Sequence, residues 1–125
     1  MTDLMFAERV GALLDLPVDE AELLVEATLR TLAQRISGGE AEDLMARVPP
    51  ALQPFLVTDE EEAEAFPYEE FVERVADEAD VDYTTAAQAV AAVLRVLRDV
   101  VGEEEFRDTL SQLPKEFHDL ATSRF

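Results

Sequence analysis

Four arginines stand at matched places in this chain. Arg9 belongs to the stretch FAERV at residues 6–10 and Arg74 to FVERV at 71–75, while Arg30 and Arg95 each follow a leucine in ATLRTL and AVLRVL. Ten basic residues face 29 acids, so bases kept twice at one spacing are the first place to look for chemistry. A guanidinium presents a planar fork that holds a carboxylate or a phosphate through two parallel hydrogen bonds. Arg9, Arg30, Arg74 and Arg95 are therefore the candidate ligand-binding residues. They would form an anion pocket if a twofold relation between the halves of the chain brought Arg30 and Arg95 together. The same residues have an architectural reading, which we prefer: each pairs with acids on adjacent helices, for instance Glu8, Glu73, Asp43 or Asp108, and covers the core edge with its methylenes.

Other catalytic chemistry finds little to stand on. The chain has no cysteine, which excludes disulfides, thiolate nucleophiles and thiolate metal sites. His118 is the only histidine, without the further ligands a zinc site needs, and is expected on the surface. The acidic run Asp59, Glu60, Glu61, Glu62 and Glu64 lacks the glycine and the alternating oxygen ligands of a calcium loop. It reads as a solvated linker. GEEEF at 102–106 is explained by a helix start, where the positive end of the helix dipole favours carboxylates. Ser37, Ser111 and Ser123 sit in cap or surface contexts with no base placed beside them, and the glycines form no phosphate-cradling loop. The expectation is no catalytic residue, no metal and no cofactor.

The elements that would position the arginines follow from an internal duplication. Sliding the chain by 65 positions aligns Phe6–Val57 with Phe71–Thr122 without a gap and yields fourteen identical pairs. Chance would give about four or five, so the similarity is a repeat. The identities include Phe6/Phe71, Arg9/Arg74, Val10/Val75, Asp15/Asp80, Arg30/Arg95, Leu32/Leu97, Glu40/Glu105, Asp43/Asp108 and Pro49/Pro114.

Within each copy the apolar spacing is helical. Phe6, Val10, Leu13 and Leu14 form the stripe of a first helix, matched by Phe71, Val75 and Ala79. A longer helix follows, with Ala21, Leu24, Val25, Thr28, Leu29, Leu32 and Ile36 on a broad face, matched by Ala86, Val90, Val93, Leu94, Leu97 and Val101. Asp19 and Thr84 are the expected N-caps, and Ser37-Gly38-Gly39 and Gly102 the expected helix stops. A third helix carries Ala41, Leu44, Met45 and Val48, or Phe106, Leu110 and Leu113, up to Pro49 or Pro114. A short helical segment carries Leu52, Phe55 and Leu56, or Phe117 and Leu120.

The expected fold is thus all-α, a single domain over 1–125. Two tandem copies of a three-helix-plus-short-helix unit, at 5–57 and 70–122, pack as one pseudo-twofold helical bundle. The acidic linker 58–69 joins them as an exposed bridge. Units of this size stand near the lower limit of independent stability, so the copies bury their stripes against each other, either within one chain or swapped between the chains of a homodimer.

The motifs FAERV and FVERV, ATLRTL and AVLRVL, and the segments SGGEAEDLMARVP and VGEEEFRDTLSQLP together resemble the uncharacterised conserved prokaryotic family named domain of unknown function 2267 (DUF2267). The resemblance spans nearly the whole chain. It implies an all-helical fold and a small soluble protein, and it brings no catalytic residues with it.

Charge narrows the function classes. A formal net charge of −19 repels a phosphate backbone, which excludes direct nucleic-acid binding. No apolar run reaches the roughly 18 residues of a membrane span, and the opening MTDLMFAERV lacks a signal core, so the chain is expected in the cytoplasm. The acids are spread over both copies and the linker, which fits a salt-rich cytoplasm, where a Debye length of about 3 Å in molar salt removes their mutual repulsion. The expected function is a non-enzymatic, macromolecule-binding or regulatory module with a protein partner, acting as monomer or homodimer. The alternatives are a small-anion binder or enzyme using Arg30 and Arg95, and an acidic decoy for a basic partner.

Overall fold

The computed structural model describes residues 2–58 and 61–122. Its regular elements are all helical: α1 (Thr2–Leu14), α2 (Val18–Arg35), α3 (Gly38–Met45), a 3₁₀ segment (Pro50–Leu56), α4 (Tyr68–Ala79), α5 (Tyr83–Val101), α6 (Glu103–Leu110) and α7 (Lys115–Thr122). Ser123, together with Asp59 and Glu60 of the acidic run, lies outside the described residues.

The periodic stripes become the core. On α2, Ala21, Leu24, Val25, Thr28, Leu29 and Leu32 are all buried, and Ile36 just past its end is buried with them. On α5, Ala86, Val90, Val93, Leu94, Leu97 and Val101 do the same. These two long helices pack on each other, α1 and α4 each lie against both, and α3 meets α6. The 3₁₀ segment covers α2 and α3, and α7 covers α5. One apolar cluster runs from Phe6 to Phe117, with the Phe117 ring edge-on to Phe71 at 4.9 Å and to Tyr68 at 5.2 Å. The weak ends of the first stripes lie outside this cluster's heart: Leu13 is exposed and Leu14 and Ala79 are half-buried.

Helix boundaries differ from the expected ones in instructive ways. α2 starts at Val18 behind Pro17, whose carbonyl accepts from Ala21 N–H, so Asp19 is an acid in the first turn and not the cap. α5 is capped by Asp82, whose side chain accepts from Thr85 N–H at 2.8 Å, two residues before Thr84. The Gly-Gly pair opens α3 and does not close α2. Ser37 provides the N-cap there, accepting from Glu40 N–H, which makes a left-handed turn at this junction unnecessary. Gly102 does end α5, at φ 94 and ψ 157, an extended positive-φ conformation open essentially to glycine alone. α3 and α6 end at Met45 and Leu110, and Val48 and Leu113 are buried in tight turns before the prolines.

Asp15 and Asp80 both adopt φ 58. After each, an amide reaches back five residues, Leu16 N–H to Gly11 O and Val81 N–H to Ala76 O, closing α1 and α4 with the same Schellman hydrogen bond. Residues 61–66 of the bridge are docked on the end of α2. Gly38 N–H donates to Glu61 O and Glu64 N–H to Gln34 O, and Arg35 donates to the Phe66 and Gln112 carbonyls. Glu61, Glu62 and Glu64 point to solvent, but Phe66 is buried. Among the described residues no helix is long and apolar enough to cross a membrane.

Candidate functional site

Two features combine shape with chemistry. The first is an apolar groove of about 490 Å³ between α1, α2 and the 3₁₀ segment. Val25, Leu52 and Phe55 give it an apolar lining, with Ala7 and Ala51, and Asp19, Glu22 and Glu26 add carboxylates. Leu23, also in the lining, is 58 % exposed, a large apolar side chain left uncovered beside acids. The local sequence explains the opening. Pro50 and Pro54 lack amide donors and hold this segment in a 3₁₀ form, whereas the stretch 65 residues later is the α-helix α7, whose Phe117 is fully buried. By that offset Leu52 corresponds in sequence to Phe117.

The second feature is a pair of buried carboxylates where α3 meets α6. Ser37 starts α3 so that Glu40 falls in its first turn, and Gly102 starts α6 so that Glu105 falls in its first turn. Both are buried. Thr109 donates its hydroxyl to Glu40 Oε2 at 2.6 Å, and Arg47 Nε donates to Glu105 Oε1 at 3.1 Å. Glu105 Oε2 is enclosed and has no hydrogen-bond partner among the described residues. Burial, and next the adjoining Glu105, push the Glu40 carboxyl up to about 7, against a smaller opposing pull from Thr109. The exposed Asp43 completes a trio in which one oxygen from each of Glu40, Asp43 and Glu105 lies within 4.8 Å of the others. These are the residues able to hold a metal ion. Periodicity misses this site, because Glu105 reads as one more acid at a helix start. The signal that could have found it is the identity of Glu40/Glu105 and Asp43/Asp108 across the offset.

Arg9 and Arg74 lie away from both features, Arg30 borders the groove through Glu26 and Phe55, and acids hold Arg9, Arg30 and Arg74. Arg9 on α1 bonds Asp99 on α5. Arg30 on α2 bonds Glu26 at 2.9 Å, reaches Glu78 on α4 at 3.8 Å, and lies over the Phe55 ring. Arg74 on α4 is clamped by Glu64 at 2.8 Å and Glu70 at 2.6 Å, bonds the Gln34 amide oxygen, and stacks on the Phe66 ring at 3.8 Å. Hydrogen bonding to Arg74 holds the Glu64 carboxyl below its ordinary value, and Glu64 raises Arg74 in turn. Arg95 is half-buried on α5. None of the four lines the groove or belongs to the carboxylate trio. Their carboxylate partners are Asp99, Glu26, Glu78, Glu64 and Glu70. Burial of Phe66 and the half-exposed ring of Phe55 show that two of these guanidinia also shield aromatic faces.

His118 is exposed, with Nε2 2.9 Å from the Leu110 carbonyl, where a protonated Nε2 ties α7 to the end of α6. Ser37 caps α3, and the Ser111 hydroxyl bonds the Asp108 carbonyl. Arg35, half-buried beside Phe66, has its guanidinium pulled below the ordinary value by desolvation while it serves two carbonyls.

Comparison with curated proteins finds no match. The family model described as "Uncharacterized conserved protein (DUF2267)" matches residues 5–120, which covers both long helices, the groove and the carboxylate trio. The chain therefore belongs to the DUF2267 family.

Proposed function

We propose that this protein is a binding module without catalytic activity, which receives a basic, apolar segment of a protein partner in the groove between α1, α2 and the 3₁₀ segment. The carrying observation is the groove's make-up: Leu23, Val25, Leu52 and Phe55 beside Asp19, Glu22 and Glu26 in one hollow of about 490 Å³. Apolar area removed from water contributes about 25 cal/mol per Å², so an aliphatic or aromatic anchor entering here supplies the affinity. Asp19 and Glu22 select lysine or arginine beside that anchor and repel an acidic competitor, while Glu26 is held by Arg30. An amphipathic helix with one leucine face and basic flanks has both features.

The reading includes the duplication. Two copies of one helical unit, related by an approximate twofold axis, would place α1 on α5 as α4 lies on α2. Both contacts are present. Arg9 bonds Asp99 and Arg74 bonds Gln34, two pairs connected by the same 65-residue offset. On this view the second copy closed its groove with Phe117 and the first kept its own open for a ligand. The arginines are architectural in this reading, supported by the carboxylates around Arg9, Arg30 and Arg74.

The test uses a synthetic amphipathic helix of leucine and lysine, with a serine and lysine peptide of equal charge as control, titrated into the isotopically labelled chain in molar potassium chloride. Saturable amide shifts centred on Glu22, Leu23 and Phe55 are expected with the leucine peptide alone. Leu23→Asp, at an exposed position, should weaken binding roughly tenfold or more. Equal shifts with both peptides, spread over the acidic surface, would replace the groove with bulk electrostatics.

A further inference from the structure

We infer that Glu40, Asp43 and Glu105 form a calcium site at the junction of α3 and α6. Geometry, an unmatched oxygen and charge point to it. One is geometry: a carboxylate oxygen from each residue lies within 4.8 Å of the others. Oxygens bound to one calcium ion at about 2.3–2.6 Å stand at most about 4.6–5.2 Å apart, so donors this close together can reach a single ion between them. The second is the orphaned oxygen. Glu105 is only 7 % exposed, Arg47 engages its Oε1, and Oε2 is enclosed with no donor once the adjoining Glu40 has given up its proton. A buried acceptor left unmatched carries the desolvation cost of that atom, and a cation beside it would satisfy it. The third is charge. Three carboxylates converge here against one guanidinium, that of Arg47, which is half-exposed at the edge.

The donor chemistry is all oxygen, with no sulfur or imidazole, which selects a hard cation over zinc or copper. Glu40 and Glu105 would form the floor, because both are buried, and Asp43 the mouth, because it is exposed. Thr109 positions Glu40 by donating to its Oε2. Since α3 belongs to the first half of the chain and α6 to the second, an ion held here ties the two halves together at a point remote from the peptide groove.

The full chain, stripped of metal and held in molar potassium chloride so that general screening is complete, is titrated with calcium chloride and the bound ion counted by equilibrium dialysis. One saturable ion per chain is expected. Asp43→Asn, at a surface position that leaves folding intact, should weaken it roughly tenfold, and Glu105→Gln by at least as much. Glu42→Gln, an exposed acid on the same helix outside the trio, should leave it unchanged. Absence of saturable binding would overturn the site and leave a proton shared between Glu40 and Glu105 as the partner of the orphaned oxygen. Equal affinity in Asp43→Asn and Glu42→Gln, or magnesium bound more tightly than calcium, would overturn the assignment as well.

Discussion

Glu40 shows how much a single position depends on what the fold places beside it. In the sequence it is one acid of 29. In the structure it is buried against a second buried carboxylate, and its carboxyl is raised from 4.5 to about 7, first by desolvation and then by Glu105. The folded state therefore retains a proton that the unfolded chain releases near 4.5. Stability from this group is fully present below that value, falls as pH rises through the window up to about 7, and is flat beyond it. In metal-free buffer, the melting temperature of the native chain should fall more steeply between pH 5 and 7 than that of Glu40→Gln, whose neutral amide does not titrate. The difference in slope is at most about 1.4 kcal/mol per pH unit, the value for one proton. Parallel curves would show that Glu40 ionises normally. Arg74 teaches the complementary lesson: a base conspicuous in sequence is consumed by Glu64, Glu70 and the Phe66 ring.

At the scale of elements, junctions matter more than helix interiors. Gly102 ends α5 and begins α6 within one residue, at φ 94 and ψ 157. That conformation costs an L-residue about 1–3 kcal/mol, and Glu105 follows it in the same helical turn. Gly102→Ala should lower unfolding stability by that amount, measured by urea denaturation with an unchanged m-value. A change below about 0.5 kcal/mol would mean that the junction relaxes freely. The contrast between the 3₁₀ segment and α7 has the same local origin. Pro50 and Pro54 stand where the later stretch has Lys115 and Asp119, so one segment cannot complete the amide ladder that the other does.

For the whole molecule the governing quantity is charge. A net −19 on 125 residues means that compaction brings like charges together, and the fold opposes this with the ion pairs of Arg9, Arg30, Arg47 and Arg74. Exposed pairs of this kind contribute little each. Screening should do more. The melting temperature is expected to climb by about 5 °C or more from low to molar potassium chloride, as repulsion beyond a Debye length of roughly 3 Å disappears. A flat response would remove salt adaptation from the reading of this composition. Peptide binding in the groove should persist at that salt, since its apolar part is not screened, whereas an acidic decoy would lose its partner.

By itself the sequence determined the helical class, the residues of the two long core faces and the family, because apolar spacing of 3.6 residues is a local property that survives without coordinates. It also marked Asp15, Asp80, Glu40 and Glu105 as matched positions, without saying what they do. Only the tertiary structure decided that Glu40 and Glu105 share one buried site, that Arg9 and Arg74 are tied by acids, and that Leu52 and Phe55 line an open hollow while Phe117 is buried in the core. Such outcomes depend on which side chains meet from elements dozens of residues apart. Burial, pairing and empty volume belong to that meeting, and no window along the chain contains them.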